Sequence, residues 1–145
     1  AGTGFEEQRG ADGTSLMNEG ELSLVQKIIE KENIDITQTA LISPYAGQVQ
    51  VAKGILPKGI LISTIDSFQG QEKEVIILSL VRSNADAIIG FLKDYRRMNV
   101  AMTRAKERLF VIGDSATIGR DPFYAKFLEY LEKVEGYRSA WELME

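Results

Sequence analysis

Residues 75–81 read VIILSLV, a run of seven positions in which only Ser79 interrupts the apolar side chains. A strand with one face in water alternates apolar and polar residues. A continuous run has both faces covered, which marks a strand inside a parallel sheet sandwiched between helices. Shorter runs repeat the theme: TALIS at 39–43, ILISTI at 60–65 and LFVI at 109–112. Between them lie segments of helical periodicity. After Asn18-Glu19-Gly20-Glu21, spaced as a capping box in which Glu21 reaches back to Asn18, residues Leu22, Val25, Ile28 and Ile29 recur at helical spacing. This predicts a helix over 19–32, and a shorter one follows over 46–56. A last helix opens at Asp121-Pro122, with Phe123, Phe127, Tyr130 and Leu131 as its core stripe, and ends at Gly136. Strands alternating with helices predict an α/β domain with a mainly parallel sheet.

In such folds ligands gather at the carboxyl ends of the strands. That rule puts residues 44–48, 64–73, 82–84 and 113–115 on one rim. Residues 1–13, rich in glycine and acids, read as a flexible or truncated segment ahead of a domain over 14–145.

Composition narrows the chemistry. The chain has 145 residues with no cysteine and no histidine. Disulfides, Cys/His zinc sites and histidine-based nucleophilic triads are excluded, leaving carboxylates, hydroxyls, backbone amides and Arg/Lys. No apolar run approaches a membrane span, no signal peptide opens the chain, and a cytoplasmic location is expected. The net charge of −4 argues against a generally adhesive nucleic-acid binder but not against a local groove.

The arginines cluster in the middle. Residues 95–106, YRRMNVAMTRAK, read as a helix that contains no acid and carries Arg96, Arg97, Arg104 and Lys106. Guanidiniums converging on one helix end suit phosphate, because the planar fork binds two oxygens and keeps its charge.

With its neighbours this stretch carries a family resemblance. STIDSFQGQEKE at 63–74, followed by VIILSLVRSN, resembles motif V of superfamily 1 helicases, and FLKDYRRMNVAMTRAK resembles motif VI. ISPYAGQ, at 42–48, resembles motif IV, and TSLMNEGE resembles the stretch leading into it. The likeness is strongest to the 5′→3′ branch that contains the RNA helicase of nonsense-mediated decay. It implies the second RecA-like lobe, a three-layer αβα domain that closes on a first lobe across a cleft holding ATP with Mg²⁺.

The resemblance also implies site residues. Arg104 matches the motif VI arginine finger, which stabilises charge on the transferring γ-phosphoryl group; the alternative is a pair with a surface acid such as Glu107. Glu72 matches the motif V glutamate that approaches the nucleotide, with Gly70 allowing close backbone approach; the alternative is a loop acid beside Lys73. Arg97 either reaches phosphate or braces the motif V loop. Ser63 and Thr64 match positions that hold a nucleic-acid phosphate, or they cap their strand. Pro44, Tyr45 and Gln48 face either strand or nucleotide, with Tyr45 stacking a base or lying buried under the loop.

No G-x-x-x-x-G-K-[ST] phosphate loop and no acidic pair suited to magnesium occurs in the chain. The chain therefore reads as a piece of a longer helicase, inactive as an ATPase alone, with the first lobe and single-stranded DNA or RNA as partners. The alternative is a non-catalytic α/β module that binds nucleic acid or protein. A Rossmann-type enzyme fits less well, since no G-x-G-x-x-G follows the first strand.

Overall fold

The computed structural model describes residues 6–9, 15–68, 70–82, 84, 86 and 88–133. A short antiparallel ribbon, β1 (Gln8–Arg9) and β2 (Leu16–Met17), precedes helix α1 (Glu19–Lys31). Strand β3 (Thr39–Ser43), helix α2 (Ala46–Ile55), β4 (Leu61–Thr64) and β5 (Lys73–Ser79) follow. A 3₁₀ turn at Gly90–Lys93 leads into α3 (Tyr95–Met102), β6 (Ala105–Ile112), α4 (Ser115–Ile118) and α5 (Pro122–Lys133). The main sheet has four strands in the order β4-β3-β5-β6, every pair parallel.

The central strands are the continuous apolar ones. All five residues of β3 are buried, and so are the last five of β5. Alternate side chains feed two cores. Ala40, Ile42, Ile76 and Leu78 pack toward Met98 and Ala101 of α3, Ile118 of α4 and Tyr124 of α5. Leu41, Val75 and Ile77 pack toward Leu22, Val25 and Ile28 of α1 and Ala52 of α2. The sheet is therefore covered on both faces, in the three-layer αβα arrangement of a RecA-like domain.

Several sequence expectations shift. The helix predicted over 95–106 stops at Met102, and residues 105–108 belong to β6 instead. The Thr103 N–H caps the helix onto carbonyls including Asn99, and Arg104 forms the turn into the strand. In α5 the fully buried residue is Tyr124, one position from the predicted stripe, with its hydroxyl donating to the Leu92 carbonyl at 2.6 Å. Phe123 and Phe127 are only partly buried, while the side chains of Tyr130 and Leu131, and Gly136, lie outside the described residues.

The capping box forms by half. Asn18 Oδ1 accepts from the Glu21 N–H at 3.2 Å, as predicted. The Glu21 side chain does not return to Asn18; it runs inward, and the Asn18 N–H donates to Gln48 Oε1 at 2.8 Å instead.

Candidate functional site

Motif V leaves the carboxyl end of β4 and must reach the amino end of β5 with β3 lying between them. The connection between them therefore crosses the sheet face, anchored by Ile65 and Phe68, which are buried in the core beside α3. This corrects the single-rim expectation for 64–73. Only the start of that segment lies at the carboxyl rim, and Gly70 and Glu72 finish near the amino end. Gly70 has φ +81° with open space where a Cβ would stand, so it is the turn that requires glycine there.

Arg104 stands at the same amino end, since Lys73, the first residue of β5, pairs with Ala105, the first of β6. Its backbone is held on both sides: its N–H donates to the Ala101 carbonyl at 3.2 Å, and its carbonyl accepts from the Lys73 N–H at 3.2 Å. One hydrogen bond thus joins the turn bearing Arg104 to the residue after Glu72. Arg104 makes no ion pair with Glu107 among the described residues, and Lys73 sends its Nζ to the Thr37 carbonyl at 3.5 Å. Glu72 is exposed.

Between the crossover and α3 runs a groove of about 340 Å³. Ile42, Ile65, Phe68 and Ala101 form an apolar floor, and Arg96, Arg97, Arg104, Asp66 and Asp94 line it with charge. Arg97 Nε lies 3.3 Å from Asp66 and 3.5 Å from Asp94, a half-exposed pairing that ties α3 to the crossover. That is the bracing arrangement. Arg104 differs: its Nε is buried and has no hydrogen-bond partner. Leaving such a donor unsatisfied costs about 1–3 kcal/mol, a penalty that a ligand anion in the groove removes.

The other candidates lie a strand's length away, at the carboxyl rim, where Ser43 pairs in register with Thr64. Ser63 Oγ donates to the Thr64 carbonyl at 2.8 Å, and Thr64 Oγ1 accepts from the Ser67 N–H at 3.2 Å. Both hydroxyls thus cap the strand end, and Thr64 keeps its own proton available to donate. Pro44 is partly buried. Tyr45 is 4% exposed, so its ring is closed to a base and the buried alternative holds. Gln48 faces neither strand nor nucleotide. It is fully buried and donates to the Asn18 carbonyl and to Ser79 Oγ, each at 3.0 Å.

Sequence reasoning missed the network that Gln48 belongs to. Glu21 accepts from Ser79 Oγ at 2.7 Å and from the Val81 N–H at 3.0 Å, and Asn18 Nδ2 donates to the Val81 carbonyl at 2.9 Å. Val81 has φ +71°, rare for a β-branched residue. Both of its backbone polar groups are clamped by side chains more than fifty positions away, the over-determination that lets such strain persist. Burial pushes the Glu21 carboxyl up to about 7, against the opposing pull of the Ser79 and Val81 hydrogen bonds. The spacing Asn18-x-x-Glu21 was visible, but its role as a long-range clamp was not.

A family profile described as AAA domain matches residues 2–116. The chain belongs to this family. Its motifs and sheet are those of the second RecA-like lobe of superfamily 1 helicases, resembling the nonsense-mediated-decay branch. It is 43% identical over 129 residues to the DNA polymerase alpha-associated DNA helicase A of Saccharomyces cerevisiae, covering 81% of this chain and 19% of that protein. It is 36% identical over 143 residues to the regulator of nonsense transcripts 1 homolog of Arabidopsis thaliana, covering 90% of this chain and 11% of that protein. It is 36% identical over 151 residues to the DNA-binding protein SMUBP-2 of Rattus norvegicus, covering 100% of this chain and 15% of that protein. The chain thus spans a fifth or less of each relative. Among the described residues no helix is long and apolar enough to cross a membrane.

Proposed function

We propose that this chain is the C-terminal motor lobe of an ATP-dependent DNA or RNA helicase or translocase. ATP with Mg²⁺ binds between it and a first RecA-like lobe of the same protein, which supplies the phosphate loop and the metal ligands. Arg104 is the arginine finger. The observation that carries this reading is the orphaned Arg104 Nε, buried beside an arginine-lined groove while its backbone is pinned between α3 and β5. The fork is aimed and uncommitted, the state in which a guanidinium serves a γ-phosphoryl group delivered from elsewhere.

Glu72 and Gly70 lie against the nucleotide at the same end. Arg97 holds the crossover against α3 and stands close enough to the groove to meet a phosphate. Thr64, with Ser63 and the backbone after Pro44, grips phosphates of a single strand at the opposite rim; hydroxyl and amide contacts of this kind fix register without reading sequence. ATP closure at the amino end of the sheet and nucleic-acid grip at its carboxyl end are linked through the connection that joins β4 to β5, as a motor requires. A cytoplasmic location belongs to the proposal and rests on composition alone.

The test compares two proteins. The full-length protein is expected to hydrolyse ATP faster when single-stranded DNA or RNA is added, and the purified chain alone to show no turnover above background. Turnover that follows the lone chain through purification at motor-like rates contradicts the proposal. A full-length protein without any ATP hydrolysis favours the non-catalytic binding module.

A further inference from the structure

Phe91 is 62% exposed and Ile88 55%, the two most exposed large hydrophobic side chains among the described residues. Phe91 is nevertheless firmly placed. Its ring lies on Tyr45, with centroids 5.4 Å apart and planes tilted by 33°. Tyr45 is itself locked: its hydroxyl donates to the Ile89 carbonyl at 3.4 Å and accepts from Arg82 Nη1 at 3.3 Å. The Arg82 guanidinium also sits 5.9 Å from the Tyr45 ring centroid. Gly90 presses between them with φ +52°, where an added Cβ would come 2.5 Å from Arg82 Nη1 and 3.0 Å from Tyr45 Oη. The turn at Gly90–Lys93 is thus seated by a contact that glycine permits, and the outermost ring of the Arg82–Tyr45–Phe91 stack faces water.

This stack stands on the carboxyl rim. Tyr45 lies two residues beyond Ser43, which pairs with Thr64, and Arg82 follows the end of β5. Phe91 therefore shares the end of the sheet that carries Ser63, Thr64 and Pro44. Arg104 and Glu72 lie at the other.

We propose that Phe91 is a stacking platform for a base of single-stranded nucleic acid; this deepens the functional reading above and rests on it. A pre-seated aromatic face loses little freedom on binding, and any base can stack on it, which suits sequence-indifferent grip. Lys93, exposed in the same turn and without an ion pair among the described residues, adds a cation for the adjoining backbone. A protein partner fits less well. Two isolated apolar side chains offer far less than the ~1,000 Å² that a specific protein interface buries.

The experiment measures binding of the full-length protein to labelled single-stranded oligonucleotides across a salt series. Phe91→Ala is expected to weaken binding about five- to hundred-fold, the loss of one stacked base. Phe91→Leu keeps apolar bulk without a π face and should weaken it comparably, whereas Phe91→Trp should restore it. The slope of affinity against salt should stay unchanged in Phe91→Ala, since no phosphate contact is lost. Wild-type affinity in Phe91→Ala or Phe91→Leu, or a reduced salt slope in Phe91→Ala, overturns the platform while leaving the nucleic-acid reading intact. A wild-type protein that binds no single strand overturns that reading itself.

Discussion

Glu21 makes the stability of this domain depend on pH in a direction opposite to that of most carboxylates. Its side chain is buried, and its carboxyl is raised from the ordinary 4.5 to about 7 chiefly by that burial. The folded state therefore holds the proton more tightly than the unfolded chain. The stabilisation that follows is fully present below 4.5, declines as pH rises toward 7, and is gone above it. At about 1.36 kcal/mol for each pH unit between the two values, the loss comes to roughly 3 kcal/mol. Glu21→Gln cannot titrate, and its amide oxygen can accept the same bonds from Ser79 and Val81. Its buried NH₂ needs an acceptor, but that cost does not vary with pH. The assay is urea unfolding of both proteins between pH 4.5 and 8, and the readout is the difference between their stabilities. Glu21→Gln should gain on the wild type by roughly 3 kcal/mol across that range, most of it between pH 5 and 7. Parallel pH profiles would refute the assignment of a near-neutral titration to Glu21.

Two further substitutions probe the packing around the site. Asn18→Ala removes the α1 cap and the donor to the Val81 carbonyl together, so a loss of about 2–4 kcal/mol is expected in urea unfolding; a loss within 0.5 kcal/mol, as for a plain surface site, contradicts the clamp. Tyr124→Phe deletes only the hydroxyl that donates to Leu92, for an expected loss of about 1–2 kcal/mol and a protein otherwise folded as before. An unchanged midpoint would mean that this hydrogen bond contributes nothing.

The fold was legible because the two central strands carry their burial in plain sequence. TALIS and VIILS carry apolar residues at consecutive rather than alternate positions, the pattern of a sheet covered on both faces. Helix α1 was readable within a residue, from Asn18 and its leucine-valine-isoleucine spacing. The end of α3 was not. Residues 103–108 contain no proline or glycine, and the strand forms there because the Lys73 edge of β5 is waiting to pair with it, a tertiary cause that local pattern cannot show.

The site divided in the same way. Motifs V and VI pointed to Arg104, Glu72 and Gly70, but only the crossover from β4 to β5 puts Glu72 and Gly70 at the end of the sheet that carries Arg104, away from Ser63 and Thr64. Tyr45 could be read as a stacking residue or a buried one. Only the close seat of Gly90 on Arg82 and Tyr45 shows that the exposed ring is Phe91. Glu21 looked like half of a capping box, and its true partners sit nearly sixty residues ahead at Ser79 and Val81.

As the proposed arginine finger, Arg104 acts on the γ-phosphoryl group in the transition state. The measurement is steady-state ATP hydrolysis by the full-length protein with saturating single strands, comparing wild type, Arg104→Lys and Arg104→Ala. Because the guanidinium has no ion-pair partner to abandon among the described residues, and its buried Nε costs stability rather than contributing it, neither change should unfold the lobe, and thermal unfolding should occur at or above the wild-type midpoint. In the alanine variant kcat should fall about 10³–10⁵-fold while KM changes little, the signature of an interaction made in the transition state. Lysine should do nearly as badly, since a point charge does not reproduce the fork. An Arg104→Ala protein that is folded and hydrolyses ATP at close to the wild-type rate contradicts that role.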